Sequence, residues 1–257
     1  MSFKEKEHIK EQLCSVIMPL YNSEKYIKEA VLSVLEQTYK NLELIIIDDC
    51  STDDSKKIVN KLSLVDKRIK TVFLTENKGC ADARNIGLTM SQGQYVAFID
   101  SDDIWEKEKL EKQINVLENN NVDISFTAYK IINENKVLIK NRAIKKEIKY
   151  TDLLKENSVA FSTVICKKNK LCKIQFKKEW FHEDYVFLLD LLKNKCRAQG
   201  ANTILVSYRL HSQGRSFNKF NAAKYRWKIY RYYLNLSLIE SIYYFIFYIV
   251  NGMKKYK

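Results

Sequence analysis

The sequence contains one proline and only six glycines in 257 residues. Proline-rich spacers, glycine-rich linkers and low-complexity tracts are thereby excluded, and with them a string of small modules on flexible tethers. None of the six cysteines (Cys14, Cys50, Cys80, Cys166, Cys172, Cys196) forms a Cys-x-x-Cys pair. No histidine stands at a zinc-ligand spacing either, which argues against a zinc-built domain. The opening Met1-Ser-Phe-Lys-Glu-Lys-Glu is charged and lacks an apolar signal core, so reduced thiols in a cytosolic protein are expected. No apolar run reaches the ~20 uninterrupted residues that a membrane-spanning helix needs. Leu234–Val250 is interrupted by Asn235 and Glu240. Acid is short relative to base: 31 acidic against 44 basic residues, net +13. That balance predicts an anionic partner, whether nucleic acid, acidic lipid or a phosphorylated substrate. No helix-turn-helix, zinc-finger or RNA-recognition pattern is present, so nucleic acid is not expected.

What is present is enough for one α/β domain with an appendage, since 257 residues at 46% hydrophobic bury a full core. Residues 1–12 read as a polar lead-in helix or frayed end. Cys14-Ser-Val-Ile-Met-Pro19 reads as a first strand ended by Pro19, which has no ladder donor. Ile27, Ala30, Val31, Val34 and Leu35 then fall on one helical face. Leu42 to Asp49 reads as a second strand, followed by Ser51 and Thr52 as N-cap candidates. Ile69 to Leu74 reads as a third, followed by the turn Asn77-Lys-Gly79 and a helix carrying Ala83, Ile86 and Met90. A fourth strand runs into Asp100. A helix through Leu110, Ile114 and Leu117 precedes a strand from Asp123 to Tyr129. Such alternation predicts a mainly parallel sheet with right-handed crossovers. Beyond Asn133 the pattern weakens. A short helix capped by Thr151, a strand over Ser162–Cys166, an apolar helix over Tyr185–Leu192 and a strand over Thr203–Leu210 are expected.

The stretch Gln94-Tyr-Val-Ala-Phe-Ile-Asp100-Ser-Asp102-Asp103 is central: an apolar run ending in three carboxylates. Clustered carboxylates repel and raise one another's pKa, and hard oxygen ligands at Asp-x-Asp spacing suit Mg²⁺ or Mn²⁺. A solvated acidic turn capping the next helix is the plainer alternative. Parallel strands share one C-terminal edge, where ligands bind. Tyr21, Asp48 and Asp49, Asn77 and Gly79, and Asp100 and Asp102 all follow strand ends, so they are expected to be neighbours in space.

In order, Pro19-Leu-Tyr21-Asn22, Ile47-Asp48-Asp49-Cys50-Ser51-Thr52-Asp53, Asn77-Lys-Gly79, Ala83-Arg84-Asn85, Asp100-Ser101-Asp102-Asp103 and Glu183-Asp184 resemble the motifs of family 2 glycosyltransferases with the GT-A fold. The resemblance runs from about Cys14 to His211. It implies a Rossmann-like α/β domain over 1–215, with a nucleotide-binding half at about 13–130 and an acceptor-side half at about 131–215. It also implies metal-dependent, inverting transfer of a hexosyl group from a nucleotide donor, usually UDP-linked, as in bacterial surface-polysaccharide assembly. Tyr21 would stack on the base and Asp49 would accept from the uracil ring, with Pro19 and Asn22 shaping that pocket and Asn77 and Gly79 beside it. Arg84 and Asn85 would approach the nucleotide, Asp100 and Ser101 would sit near the ribose, and Asp102 would bind Mn²⁺ or Mg²⁺. Asp184 would be the general base with Glu183 beside it. Arg209 and His211 resemble a feature near the diphosphate, with His211 either a metal ligand or a satisfied structural histidine. Cys50 stands where the family more often has glycine.

From Phe220 the chain is basic and aromatic: Lys224, Arg226, Lys228 and Arg231 alternate with Tyr225, Trp227, Tyr230, Tyr232 and Tyr233. The segment 216–257 is expected to be helical. It would lie on an anionic membrane surface, pack on the catalytic domain, or form an oligomer contact. A polyprenyl-diphosphate-linked or other glycan acceptor would make peripheral docking on the inner face of the plasma membrane useful. Two rivals use the same features differently. A nucleotidyltransferase would carry a Gly- and Arg-rich loop after the first strand, where Leu20-Tyr-Asn-Ser stands. A non-catalytic module binding anionic polymer or membrane would leave the carboxylate clusters unexplained.

Overall fold

The computed structural model describes residues 12–211 and 219–256. The lead-in expected over residues 1–12 lies almost wholly outside them. The first half alternates as expected: β1 (Cys14–Leu20), α1 (Ile27–Leu35), β2 (Leu42–Asp48), α2 (Ser55–Val65), β3 (Ile69–Phe73), α3 (Cys80–Met90) and β4 (Tyr95–Phe98). β1, β2 and β4 are buried along their whole length, which is why they read as near-continuous apolar runs rather than as alternation. β5 (Ile104–Trp105), α4 (Lys109–Asn119), β6 (Ile124–Ile132), β7 (Leu138–Arg142), β8 (Glu147–Ile148) and α5 (Tyr150–Lys155) follow. β9 (Ile165–Lys167), α6 (Glu183–Lys193), β10 (Ala198–Arg209), α7 (Lys219–Lys228), a π-helical turn over Ile229–Tyr233 and α8 (Leu238–Tyr256) complete the chain.

The strands form a single sheet in the order β3-β2-β1-β4-β9-β6-β10-β5. β3, β2, β1 and β4 pair in parallel, as do β6 and β10. β9 sits between the two sets, antiparallel to both β4 and β6, so all six of these strands point the same way. Three residues long, β9 carries no period for a sequence reading to catch. The strand expected over Ser162–Cys166 is instead a 3₁₀ turn, Phe161–Thr163, followed by β9.

Two local expectations are corrected. Pro19 does not end β1, which continues through Leu20 opposite Asp48. In this register Pro19 faces the β4 side, where Ile99 N donates to Ile17 O and pairing stops at Phe98. No donor is missed there. Ser51 and Thr52 do not cap α2, which begins at Ser55 behind Asp54; they bond to Asn22 instead, as described below.

At the opposite edge of the sheet a polar knot fixes the start of β1. Ser15 Oγ donates to Glu43 Oε1 at 2.5 Å and accepts from Gly93 N at 2.8 Å, and Gln92 N donates to Glu43 Oε1 at 2.8 Å. Lys70 Nζ pairs with Glu43 Oε2 at 2.6 Å. Gly93 is obligatory: a Cβ there would stand 2.5 Å from Leu13 O and 2.7 Å from Ser15 N. Burial pushes the Glu43 carboxyl up, but Lys70, Ser15 and the Gln92 amide together hold it below its usual 4.5. With its folded pKa depressed, Glu43 contributes stability that is present above 4.5 and lost as pH falls through the folded value. Glu43→Gln is therefore expected to melt below wild type at neutral pH, the gap closing on acidification. Tm measured across pH checks this; a constant gap would remove the carboxylate's role.

Candidate active site

The C-terminal ends of β1, β2 and β4 lie on one edge, and the loops leaving them are bonded to each other. Asn22, at φ 45°, donates its amide to Ser51 Oγ (3.0 Å) and accepts from Thr52 N (2.8 Å). Ser23 donates its amide to Ser55 Oγ (2.8 Å), and its hydroxyl meets Ser101 Oγ at 2.8 Å. Glu24 N donates to Asp53 Oδ2, and Asp54 N to Glu24 Oε2, both at 2.9 Å. The loops after β1, β2 and β4 are thus one hydrogen-bonded rim, with Tyr21 standing half exposed above it.

Asp49 is 4% exposed and organises a fourth loop, the one after β3. Its Oδ1 accepts from Lys78 N (2.7 Å), its Oδ2 from Gly79 N (2.8 Å), and its carbonyl from Asn77 Nδ2 (3.2 Å). Gly79, at φ 89°, is the residue before α3, and that left-handed angle favours glycine. Cys50 has φ 63°, a left-handed angle that glycine adopts without strain. Its thiol reaches Thr75 O at 3.7 Å.

The acidic turn after β4 divides by burial. Asp103 is fully buried and accepts from Arg209 N at 2.9 Å. Burial, then the charges of Asp102 and Asp100, raises its pKa well above the usual carboxylate value. No helix follows directly: Ile104–Trp105 is the short strand β5, so Asp103 caps nothing. Asp102 is a quarter exposed, and its Oδ2 lies 2.7 Å from His211 Nε2. That hydrogen bond raises the His211 pKa above its ordinary 6.5. Arg209, 3% exposed, is the hub beneath. Its Nε donates to Asp102 O (2.8 Å), its Nη1 to Glu134 O (3.2 Å) and its Nη2 to Glu29 Oε2 (3.0 Å). It also lies 4.7 Å from the Tyr26 ring centroid.

Asp100 meets the other half of the site through Arg84. This guanidinium is 2% exposed. Its Nη2 donates to Asp100 Oδ1 at 2.6 Å and its Nη1 to Glu183 Oε1 at 2.9 Å, with the rings of Phe161 and Phe176 at 4.8 and 5.4 Å. Asn85, next along α3, gives both side-chain groups to Phe176: Nδ2 to its carbonyl and Oδ1 from its amide, both at 2.8 Å. Asn85 therefore acts as a clamp on the 171–182 loop rather than as a nucleotide contact. Glu183 is 2% exposed and ion-paired with Arg84. Asp184, the next residue and in the first turn of α6, is only partly buried. Its Oδ1 accepts from Tyr185 N at 2.7 Å. The Ser23–Ser101 contact, the Arg209 hub and the Phe161–Phe176 box went unread in the sequence. Each joins residues far apart along the chain, and no local pattern announces them.

Residues 15–171 match the sequence pattern of glycosyl transferase family 2. The chain belongs to that family. It is 39% identical over 244 residues to the putative teichuronic acid biosynthesis glycosyltransferase TuaG of Bacillus subtilis, covering 95% of this chain and 97% of that protein. It is 39% identical over 246 residues to WfgD of Escherichia coli, a UDP-Glc:alpha-D-GlcNAc-diphosphoundecaprenol beta-1,3-glucosyltransferase, covering 95% of each. Among solved structures it resembles S. aureus TarS 1–349 in complex with UDP-GlcNAc, with a TM-score of 0.72 at 26% identity over 88% of this chain and 67% of that one. The fold is thus the expected GT-A arrangement, and the chain is a glycosyltransferase of the kind found in bacterial surface-polysaccharide assembly. The family pattern stops at 171, so Glu183, Asp184 and His211 lie beyond it.

Removing Arg84 would strand a buried, unpaired Glu183, at a cost of about 3–5 kcal/mol. Arg84→Met is expected to lower Tm strongly, and Arg84→Met with Glu183→Leu to recover part of the loss. Additive losses in that double-mutant cycle would show that the two side chains are not coupled.

Proposed function

We propose that the protein transfers a sugar from a UDP-linked donor, with inversion, to a hydroxyl of an acceptor glycan carried on a polyprenyl diphosphate. The observation that carries this is the convergence, on one sheet edge, of the half-exposed Tyr21, the Asp49-held loop and the open Asp102. Across from them, Asp184 is tied to the same edge through Glu183 and Arg84. The TuaG and WfgD names and the nucleotide-sugar complex of TarS support the donor and acceptor classes. The nucleotide would occupy the half at about 13–130 and the acceptor the half at about 131–215.

On this reading Tyr21 stacks on the base, and Pro19 and Asn22 set its angle through the rim bonds of Asn22. Asp49 uses remaining lone pairs toward the uracil ring while holding Asn77 and Gly79 in place. Asp100 and Ser101 lie beside the ribose. Asp102 and His211 would hold a divalent cation. Among the described residues no group of three or more His, Cys, Asp or Glu side chains is arranged as a metal site. A carboxylate and an imidazole 2.7 Å apart would nevertheless suit a divalent cation. Adding nitrogen to oxygen favours Mn²⁺ over Mg²⁺. Such a cation would offset the negative charge that grows on the leaving diphosphate. Asp184 takes the proton from the attacking acceptor hydroxyl, worth ~10²–10⁴-fold in rate. A single displacement converts an α-linked donor into a β-linked product. The chain would work as a peripheral protein on the inner face of the plasma membrane, where such acceptors lie.

Asp184→Asn is expected to keep its thermal shift with UDP-sugar and Mn²⁺ while transfer falls by ~10²–10⁴-fold. Asp102→Asn is expected to lose both the Mn²⁺-dependent shift and turnover while melting near wild type in the absence of ligand. Transfer by Asp184→Asn at close to the wild-type rate would move the base elsewhere, and absence of any UDP-sugar shift in the wild type would remove the donor.

A further inference from the structure

We infer that the outward face of α8 is the protein's contact with an anionic lipid surface, and that it holds the acceptor side of the site toward the bilayer. This extends the lipid-linked acceptor reading above.

The face is defined by exposure. Ile239 (81%), Ile242 (45%), Tyr243 (47%), Ile246 (55%), Ile249 (43%) and Val250 (38%) are all exposed. At about 100° per residue they fall within roughly 120° of one side of the helix. The other side is committed inward: Ser241 is buried, and Tyr244 and Phe245 join the core cluster of α6. From Ser241 to Met253 no residue is charged. A soluble domain rarely leaves so continuous an apolar stripe open to water unless something covers it.

The choice of occupant rests on charge and length. No helix among the described residues is long and apolar enough to cross a membrane, so the stripe lies on a surface rather than through it. Lysines lie beside it. Lys155 Nζ lies 5.8 and 5.2 Å from the rings of Tyr243 and Phe247, and Lys224 and Lys228 are exposed on α7, which packs on α8 through Trp227 and Phe245. An apolar stripe flanked by lysines on a chain of net charge +13 complements acidic headgroups over an apolar interior. A second copy, equally basic, would set like charges against each other.

The helix is rigidly attached where the orientation matters. Phe181, two residues before Glu183, stacks on Tyr225 with centroids 4.8 Å apart at 16°. Tyr233 donates to Asp190 at 2.7 Å, so α7 and the π turn run alongside α6 in the same sense. α8 returns antiparallel: Trp227 meets Phe245 at 5.3 Å, and Tyr230 meets Tyr244 at 6.3 Å. The buried Arg226 lies 3.4 Å from the Tyr185 ring and 5.0 Å from that of Tyr248. The C-terminal turns of α8 thus sit level with Tyr185, the residue after Asp184, which fixes the angle at which Asp184 meets a surface-bound acceptor.

Flotation of the full-length protein with vesicles tests the inference. Vesicles of phosphatidylglycerol and phosphatidylethanolamine are expected to carry the wild type, and phosphatidylcholine vesicles to carry much less. Ile242→Asp with Ile246→Asp, both on the exposed stripe, is expected to weaken partitioning by roughly a hundredfold at unchanged Tm. Ile239→Asn, at the most exposed position, serves as a milder second variant. Flotation of the double variant like wild type, or equal flotation with phosphatidylcholine, would overturn the assignment. So would a wild-type dimer by sedimentation that ignores vesicles and falls apart in the double variant, since a second copy would then cover the stripe. Flotation needs no nucleotide sugar, so a protein that floats but transfers nothing refutes the transfer reading alone.

Discussion

The buried bridge from Asp100 through Arg84 to Glu183 is the contact on which the site depends. It joins three segments by charge: the end of β4, the middle of α3 and the first turn of α6. A guanidinium suits the task because its planar fork serves two carboxylates at once and its faces accept aromatic rings in place of water. Phe161 and Phe176 supply those faces, and Asn85 fixes Phe176 in turn. A lysine would bring one point charge and a strongly hydrated head to a place with no room for water. Burial makes the bridge unforgiving, since each partner is costly without the others.

Burial also sorts the carboxylates. Asp48, Asp49, Asp103 and Glu183 are at most 4% exposed, and the last three are taken up by backbone amides or arginine. They shape loops. Asp100, Asp102 and Asp184 remain partly open. The sorting has an electrostatic consequence in the turn after β4. Burial and the neighbouring charges of Asp102 and Asp100 raise the Asp103 pKa, which disfavours charge on the buried member of the cluster. Arg209 supports the same division by bonding the Asp102 carbonyl and leaving its carboxylate outward.

The parallel half of the sheet was legible because its signals are local and repeated. β1 and β2 are apolar runs, α1 shows its 3.6-residue period, and Asp49 and Gly79 stand at strand and helix ends where backbone geometry demands them. The rim followed from one rule about parallel strands, without any distance. What was not legible depends on long-range pairing. β9 is too short to carry a period and is defined only by the two strands it separates. Pro19 looked like a terminator because a proline lacks a ladder donor, but it faces the β4 side, where pairing has already stopped at Phe98. Glu183 and Asp184 looked alike in sequence, adjacent acids at a helix start; only the position of Arg84, 99 residues away, separates them. Asn85 looked like a ligand contact because it stands in the Ala83-Arg84-Asn85 motif, whereas its amide is committed to a loop with no sequence signature.

The charge distribution follows a logic that composition conceals. A net charge of +13 suggests a basic cleft, yet the partly open side chains on the rim include Asp102 and Asp184. An acidic rim repels a nucleotide diphosphate unless positive charge arrives with it, so donor binding and cation binding would be coupled by electrostatics even before any shared ligand is considered. The arginines near the rim do not relieve this, because Arg84 and Arg209 are buried and already neutralised by Asp100, Glu183 and Glu29. Part of the excess base instead lies beside α8, where Lys155 approaches Tyr243 and Phe247. If the proposed cation site and lipid-facing surface are both present, the chain carries an acidic rim and a lysine-bordered apolar stripe as separate features.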